Sequence, residues 1–445
     1  MLIFNQSFIS SIRHRLGVVY HRWKKRYYTP FKHDILSMIG YDFYYKAKRK
    51  LYENFEKAFR FNSIYKPKGI YKTSKEYYKS TQNEQVEIYE IYKDHISTLP
   101  VSEDFYKAIS AYAKPKLTVK TDYVVIKIPN GRVYTNNMGS VAIISHDNKL
   151  LGDVSFQYKK GKIIDPKENI IFSQNYFTPP LRLPGTVFSM LSGGGAINNY
   201  GHWLMDALPR LHLLKESGLF ESVDWFLVPS LQYDYQIDTL KLLGIPFNKI
   251  IEGDKLRHVQ GDHLIATTAP RGNNPIIPNW VFEYLRDGFL NCVEKSENLP
   301  SLVYISRKDS KFRNVLNEVE LVKLITPYGF QNVTLSDLSF VEKVNLFANA
   351  DVILGASGAG LTNIFFCKKG SMLIELFSEG FVLTDYIDIA HKAEMAHSFI
   401  ISESLSQVKS KKQGQKDHMI VDLKKVRSVL DKILAPSSKS RSLYK

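Results

Sequence analysis

DVILGASGAGLTNIFF (Asp351–Phe366) passes from a short apolar run through three glycines into a second apolar run. The first run, bounded by glycine, reads as a buried strand, and the run beyond the glycines reads as a helix. Gly358, Ala359 and Gly360 leave the backbone bare where that helix begins. Several N–H groups and the positive end of the helix dipole can therefore face an anion, and a diphosphate is the natural candidate. A plain strand-to-helix turn would use the same residues. The glycine order G-x-x-G-x-G is not the dinucleotide fingerprint G-x-G-x-x-G, which gives an NAD-dependent enzyme little support.

Working outward, SMLIELF reads as the next strand, with Glu375 expected at its C-terminal end. A carboxylate at the ligand edge of a parallel sheet is placed to hold ribose hydroxyls, or it satisfies a neighbouring helix cap. Upstream, strand LVYISR, helix NEVELVKLITPYG, FQNVTL and helix SFVEKVNLFANA precede the quoted stretch, and helix LTDYIDIAHKA follows it. Arg307 ends the first of these strands and Arg313 precedes its helix. Two guanidiniums on the ligand side of a sheet can clamp a diphosphate by bidentate bonds, or they are surface charges. No D-x-D pair occurs in the sequence, so no divalent-metal carboxylate pair is expected.

An earlier series shows the same alternation: strand WFLVPS, helix YQIDTLKLLGI, strand KIIEG and helix IPNWVFEYLRDGFLNCV, ending at the polar linker KSENLPSL. Strands alternating with helices imply parallel sheets of right-handed βαβ units. The expected class is α/β, with two facing Rossmann-like domains joined near residue 295. Before them, YVVIKIPNGRVYT and VAIISHDNKLLGDVSF read as hairpins turning at Asn130-Gly131 and Asp147-Asn148. The lysine-rich SQVKSKKQGQKD reads as a mobile loop, and HMIVDLKKVRSVLDKIL as a closing helix.

The first series opens with GGGAINNYGHWLMDALPRLHLLKES (Gly193–Ser217), where leucines at helical spacing mark a buried face. Asn199, His202, Asp206 and Arg210 fall at i, i+3, i+7 and i+11, which lines an amide, an imidazole, a carboxylate and a guanidinium along one face. Such a stripe is either a site or a buried polar network tying helix to sheet. His202 and Asp206 alone do not complete a metal site. Pro209 frees the carbonyl of Met205 and is expected to kink the helix.

The 445 residues, 44% apolar, suffice for two domains with cores. Two cysteines, Cys292 and Cys367, exclude a disulfide framework and favour a reducing compartment. The N-terminus lacks a signal-peptide core and no window spans a bilayer, so the expected location is cytoplasmic. Of the formal charge of +16, residues 1–80 carry 18 Lys and Arg against 5 Asp and Glu. Ile9, Ile12, Leu16, Val19 and Trp23 recur at helical spacing among those basic residues. This pattern suits either an anionic membrane surface or a solvated helix packed on its own domain. No helix-turn-helix, zinc-finger or RNA-binding signature accompanies it, so nucleic acid is not an expected partner.

NNYGHWLMDALPRL, LVYISR…FRNVLNEVEL and ILGASGAGLTNIFF…GSMLIELF, in this order and at this separation, resemble glycosyltransferase family 61. The resemblance is to bacterial members associated with capsule or other surface polysaccharides, and it covers roughly Val141 to Leu434. It implies a GT-B fold, an inverting and metal-independent mechanism, a nucleotide-sugar donor, and a glycan or lipid-linked glycan acceptor. No cofactor is implied. The implied layout is a basic helical extension at 1–80, an acceptor-side α/β domain at 81–295 and a donor-side Rossmann-like domain at 296–400, followed by loop, helix and tail at 401–445.

Within that layout Asp206 is the expected general base, with His202 its helper and the runner-up. Asn199 and Arg210 are the acceptor-side residues, although Arg210 is as well suited to pairing with a carboxylate. Arg307, Arg313, Ser357, Gly358, Ala359, Gly360, Thr362, Asn363 and Glu375 are expected on the donor. Family members often carry His where this chain has Ser357. The competing expectation is a non-catalytic glycan- or nucleotide-binding subunit of a polysaccharide assembly complex.

Overall fold

The computed structural model describes residues 63–434, except 82–83, 111–116, 137–138, 160–161, 175–176, 194, 273–275, 294–298 and 405–410. The basic amphipathic pattern of Ile9 to Trp23 lies outside the described residues. Of the described residues, 66–173 and 180–434 make up the larger of two compact units.

Two sheets organise the larger unit. The first holds β1 (Gly69–Tyr71), β2 (Glu87–Thr98), β3 (Thr118–Pro129), β4 (Arg132–Thr135), β5 (Ser140–Ile144), β6 (Lys149–Leu151), β7 (Phe156–Lys159), β8 (Lys162–Ile163), β9 (Leu181–Ser189), β10 (Trp225–Val228), β11 (Ile250–Glu252) and β12 (His258–Thr267). Its parallel part runs β12-β9-β10-β11. The earlier strands extend it, mostly as antiparallel pairs.

The second sheet, in order β14-β13-β15-β16-β17-β18, holds β13 (Leu302–Ser306), β14 (Gln331–Thr334), β15 (Val352–Ala356), β16 (Met372–Ser378), β17 (Ala396–Ser404) and β18 (Met419–Ile420). All its pairings are parallel except β17 with β18. Every residue of β15 is buried, as expected of a strand covered on both faces.

Several local expectations are corrected. Asn130-Gly131 is no hairpin: β3 and β4 lie one after the other along the same partner, β12, with Asn130 at φ +52° in the bend between them. An Asn-Gly pair satisfies either a tight turn or a bend in a continuing strand, and the long β12 selects the bend. Asp147-Asn148 does join the antiparallel pair β5 and β6. Residues 66–80 do not belong with a basic extension, because β1 pairs with β6 and Ser74 donates from N–H and hydroxyl to Asp153. The boundary expected at residue 400 cuts β17. Gly414, expected in a mobile loop, packs so closely on Gly380 that a Cβ there would lie 2.1 Å from the Gly380 carbonyl oxygen.

The quoted glycine turn leads into a 3-10 helix, Ala359–Phe366, rather than an α-helix. Leu361, Ile364, Phe365 and Phe366 on it are all buried, so packing on several sides compensates the poorer hydrogen bonds of a long 3-10 segment. Phe366 meets Phe289 and Phe340 edge-on at 6.0 and 5.9 Å. One apolar cluster runs from Trp203, Leu208 and Leu211 beside the first sheet to Ile305, Phe340 and Phe365 beside the second. The two sheets therefore share a core. The closing helix, Leu423–Leu434, buries Val426 and Leu430. Among the described residues, no helix is long and apolar enough to cross a membrane.

Candidate active site

The polar stripe is not one regular helix. Asn199 caps its start by accepting from the His202 N–H at 3.1 Å. A widened π turn follows over Trp203–Ala207, closed by the Leu208 N–H on the Trp203 carbonyl at 3.1 Å, and Arg210–Glu216 resumes as an α-helix. Glycines make room around it. A Cβ on Gly195 would lie 2.7 Å from the His202 ring, and one on Gly201 would lie 2.9 Å from the Thr362 hydroxyl.

His202 and Asp206 meet, Nδ1 to Oδ2, at 2.6 Å. Arg271, just past β12, then forks onto the same carboxylate, with Nε 2.7 Å from Oδ1 and Nη2 2.8 Å from Oδ2. Its Nη1 donates to Asp385 at 2.8 Å, at the start of helix Asp385–Lys392 beside the second sheet. Burial alone would raise the Asp206 carboxyl. The Arg271 charge and bonds, with His202 behind them, instead hold it well below the usual carboxylate range.

Both Asp206 oxygens are thus occupied and the group is a weak base, so the expectation that Asp206 itself takes a proton is corrected. Its side chain is 9% exposed, whereas that of His202 is 45% exposed. Because an ionised carboxylate can only accept, Nδ1 carries the hydrogen and Nε2 of the neutral ring keeps its lone pair.

Arg210 is turned away from this cluster and buried. It donates to the carbonyls of Asp206 and Thr267 and to the Thr267 hydroxyl, and it lies 4.6 Å from the Phe156 ring centre. Burial brings its guanidinium down to about 10. It reaches neither an acceptor nor a carboxylate, which corrects both expectations. Asn199 spends its side-chain oxygen on the cap.

On the second sheet, Arg307 and Arg313 gather at the glycine turn. Arg307 donates to the Ser310 hydroxyl at 2.8 Å and the Phe312 carbonyl at 3.0 Å. Its Nη1 fills the space at Gly358, where a Cβ would lie 1.9 Å away. Arg313, at φ +57°, donates to the Ser357 and Gln415 carbonyls at 3.0 and 2.8 Å. Among the described residues neither guanidinium has a carboxylate within ion-pair reach. Burial lowers Arg307, and burial followed by the Arg307 charge brings Arg313 down to about 10. The leading N–H groups of the following 3-10 helix have no acceptor within that helix.

Four of the expected donor residues lie behind this surface. Ser357, Thr362, Asn363 and Glu375 are fully buried. Asn363 accepts from the Tyr200 hydroxyl at 2.5 Å and donates to the Gly360 carbonyl, which ties the stripe to the turn. Glu375 sits in the middle of β16 rather than at its end, 3.2 Å from His397 Nε2. It is therefore withheld from any ribose.

Residues 200–374 match the family described as Glycosyltransferase 61. Over those residues the chain is similar to glycosyltransferase family 61. The match encloses His202, Asp206, Arg271, both donor-side arginines and the glycine turn, and stops short of Glu375 and Asp385. The chain is 34% identical over 80 residues to the EGF domain-specific O-linked N-acetylglucosamine transferase of Drosophila melanogaster, covering 17% of this chain and 15% of that protein. It is 27% identical over 150 residues to protein O-linked-mannose beta-1,4-N-acetylglucosaminyltransferase 2 of Xenopus tropicalis, covering 33% and 22%. These matches thus span less than a quarter of the relatives' length.

The iron-containing heptosyltransferase TibC, solved with ADP-D-beta-D-heptose, aligns with 64% of this chain and 81% of its own at 12% identity and a TM-score of 0.27. That likeness is too distant to speak for the arrangement of the sheets. Arg271 and Asp385 escape a reading of the sequence because they lie 65 and 179 residues beyond Asp206. The only local signal for Arg271 is its place in Ala269-Pro-Arg-Gly272, directly after a strand.

Proposed function

We propose that the chain is an inverting, metal-independent glycosyltransferase of GT-B type. It would move a sugar from a nucleoside diphosphate donor to a hydroxyl of a glycan or lipid-linked glycan during surface-polysaccharide assembly. The observation that carries this reading is the pair of partly buried guanidiniums at the glycine turn, whose hydrogen bonds among the described residues go to carbonyl and hydroxyl oxygens and to no carboxylate. Two adjacent cations without a carboxylate call for a multivalent anion, and the leaving diphosphate supplies it.

His202 Nε2 takes the proton of the acceptor hydroxyl, while Asp206 accepts from Nδ1 and keeps the ring in the receptive tautomer. The acceptor oxygen then bonds to the anomeric carbon from the side opposite the diphosphate. The carbon–oxygen bond to the donor breaks, and its electron pair leaves on the diphosphate toward Arg307 and Arg313. General-base assistance contributes about 10²–10⁴-fold in rate. The resemblance to bacterial surface-polysaccharide enzymes supports the acceptor class, and the charge of residues 1–80 supports a cytoplasmic location against an anionic membrane.

The test is a panel of nucleoside diphosphate sugars, N-acetylglucosamine donors first because both named relatives transfer that sugar. Melting temperature and nucleoside diphosphate release are read together. One donor should stabilise the protein and be slowly hydrolysed, with both effects lost in Arg307→Ala. A folded protein stabilised by none would replace this reading with the binding-subunit one.

A further inference from the structure

Arg271 makes bonds to both sides of the molecule. Its fork holds Asp206 on the stripe packed beside the first sheet, and its remaining nitrogen holds Asp385 on the helix packed beside the second. The side chain is 10% exposed, against 9% for Asp206 and 16% for Asp385. Three ionic groups at that depth are costly unless each bond is made, so the arrangement admits little freedom. The next residue, Tyr386, is an electrostatic neighbour of both Arg307 and Arg313.

We propose that Arg271 is a positioning residue: by bridging Asp206 to Asp385 it fixes the His202 ring in its Nδ1–H tautomer and in register with the donor turn. This assignment rests on the reading of His202 as proton acceptor, but its first consequence is visible without turnover. The 2.6 Å contact between His202 Nδ1 and Asp206 requires that nitrogen to donate. Arg271 Nη2, at 3.4 Å from the same nitrogen, is too long and crowded to compete. Asp206 can serve only while the Arg271 fork keeps its oxygens aimed at the ring. Lysine carries the charge but not the fork, and so should replace arginine only in part.

The experiment uses the full chain with ¹⁵N-labelled histidine, the His202 signals being identified by their loss in His202→Gln. The ¹⁵N shifts of the neutral ring report which nitrogen holds the hydrogen. The wild type should show the Nδ1–H form. Arg271→Gln should move most of the population to Nε2–H, Arg271→Lys should lie between the two, and Asp385→Asn should show a smaller move in the same direction.

With a donor and acceptor in hand, Asp385→Asn should lower kcat about tenfold and leave the donor KM within about threefold. A structural role alone would shift melting temperature and not the tautomer. If Arg271→Gln does not fold, Arg271→Lys and Asp385→Asn carry the test. Unchanged tautomers in folded Arg271→Lys and Asp385→Asn would overturn the assignment. A correct tautomer response in a protein that accepts no donor would leave the Arg271 role standing and remove the transferase reading instead.

Discussion

The two charged regions of this chain are built on opposite plans. Around Asp206, each charge has an opposite partner: Arg271 is shared between two carboxylates, and His202 leans on one of them. Around the glycine turn, Arg307 and Arg313 sit side by side with no carboxylate among the described residues in ion-pair reach, and the nearby buried Glu375 is turned to His397 and Ser357 instead. The first region is complete as it stands and holds a ring still. The second is incomplete until an anion arrives, which is how a site differs from a structural network in charge accounting.

The largest expected effect breaks the complete region. Asp206→Asn keeps the volume but leaves Arg271 with Asp385 only, and should cost about 3 kcal/mol in urea unfolding. The pH dependence follows from the lowered carboxyl. The unfolded chain binds this proton near the ordinary value of about 3.9, the folded chain only at lower pH. The stabilisation is therefore present above about pH 4 and lost progressively as pH falls below it. Asp206→Asn should lack that acid-dependent loss. A urea midpoint equal to wild type would mean that the charges of this region are not compensated as described.

Second comes the incomplete region. Arg307→Ala or Arg313→Ala should each weaken nucleoside diphosphate binding by about 1.5–3 kcal/mol, the worth of a charged hydrogen bond. Neither should destabilise the empty protein comparably, since each removes one of two repelling cations. Isothermal titration beside thermal melting separates the two quantities. Equal losses of stability and of binding would place these arginines with Arg271 as structural ions.

Glu375 gives the opposite pH sign at a smaller scale. Burial raises its carboxyl, with the His397 bond opposing. The folded chain keeps a proton that the unfolded chain releases above about pH 4.3, so this contribution is full below that value. It is lost as pH rises toward the folded value, at up to about 1.4 kcal/mol per pH unit. Glu375→Gln should flatten this slope and be at least as stable as wild type at pH 7. A less stable variant at pH 7 would show the ionised carboxylate to be the form the fold requires.

The same comparison explains what could be read in advance. His202 and Asp206 are four residues apart on one short segment, and even the π turn between them leaves them neighbours, so local spacing sufficed. Arg210 continued the arithmetic of the stripe but not its geometry, because the widened turn rotates the following helix and buries it. Arg271 and Asp385 come from distant points brought together by tertiary packing, which no periodicity encodes. The strand–helix alternation of the second sheet was legible because parallel strands buried on both faces are continuous apolar runs. β12 was missed: His258, Gln260, Asp262 and His263 interrupt it, although its latter half is buried between β3 and β9.

The smallest expected effect concerns Ser357, whose fully buried hydroxyl faces the Glu375 carboxyl and helps to lower it. What the turn offers an anion is main-chain N–H groups and two guanidiniums, and Arg313 bonds the Ser357 carbonyl, which alanine retains. Ser357→Ala should therefore cost no more than about 1 kcal/mol, the net worth of one ordinary hydrogen bond. Nucleoside diphosphate affinity should stay within about threefold, equivalent to about 0.65 kcal/mol. A tenfold loss with melting temperature preserved would mean that the hydroxyl rotates outward to touch phosphate on binding. The incomplete region would then have a third donor, supplied by a residue that the empty protein keeps hidden.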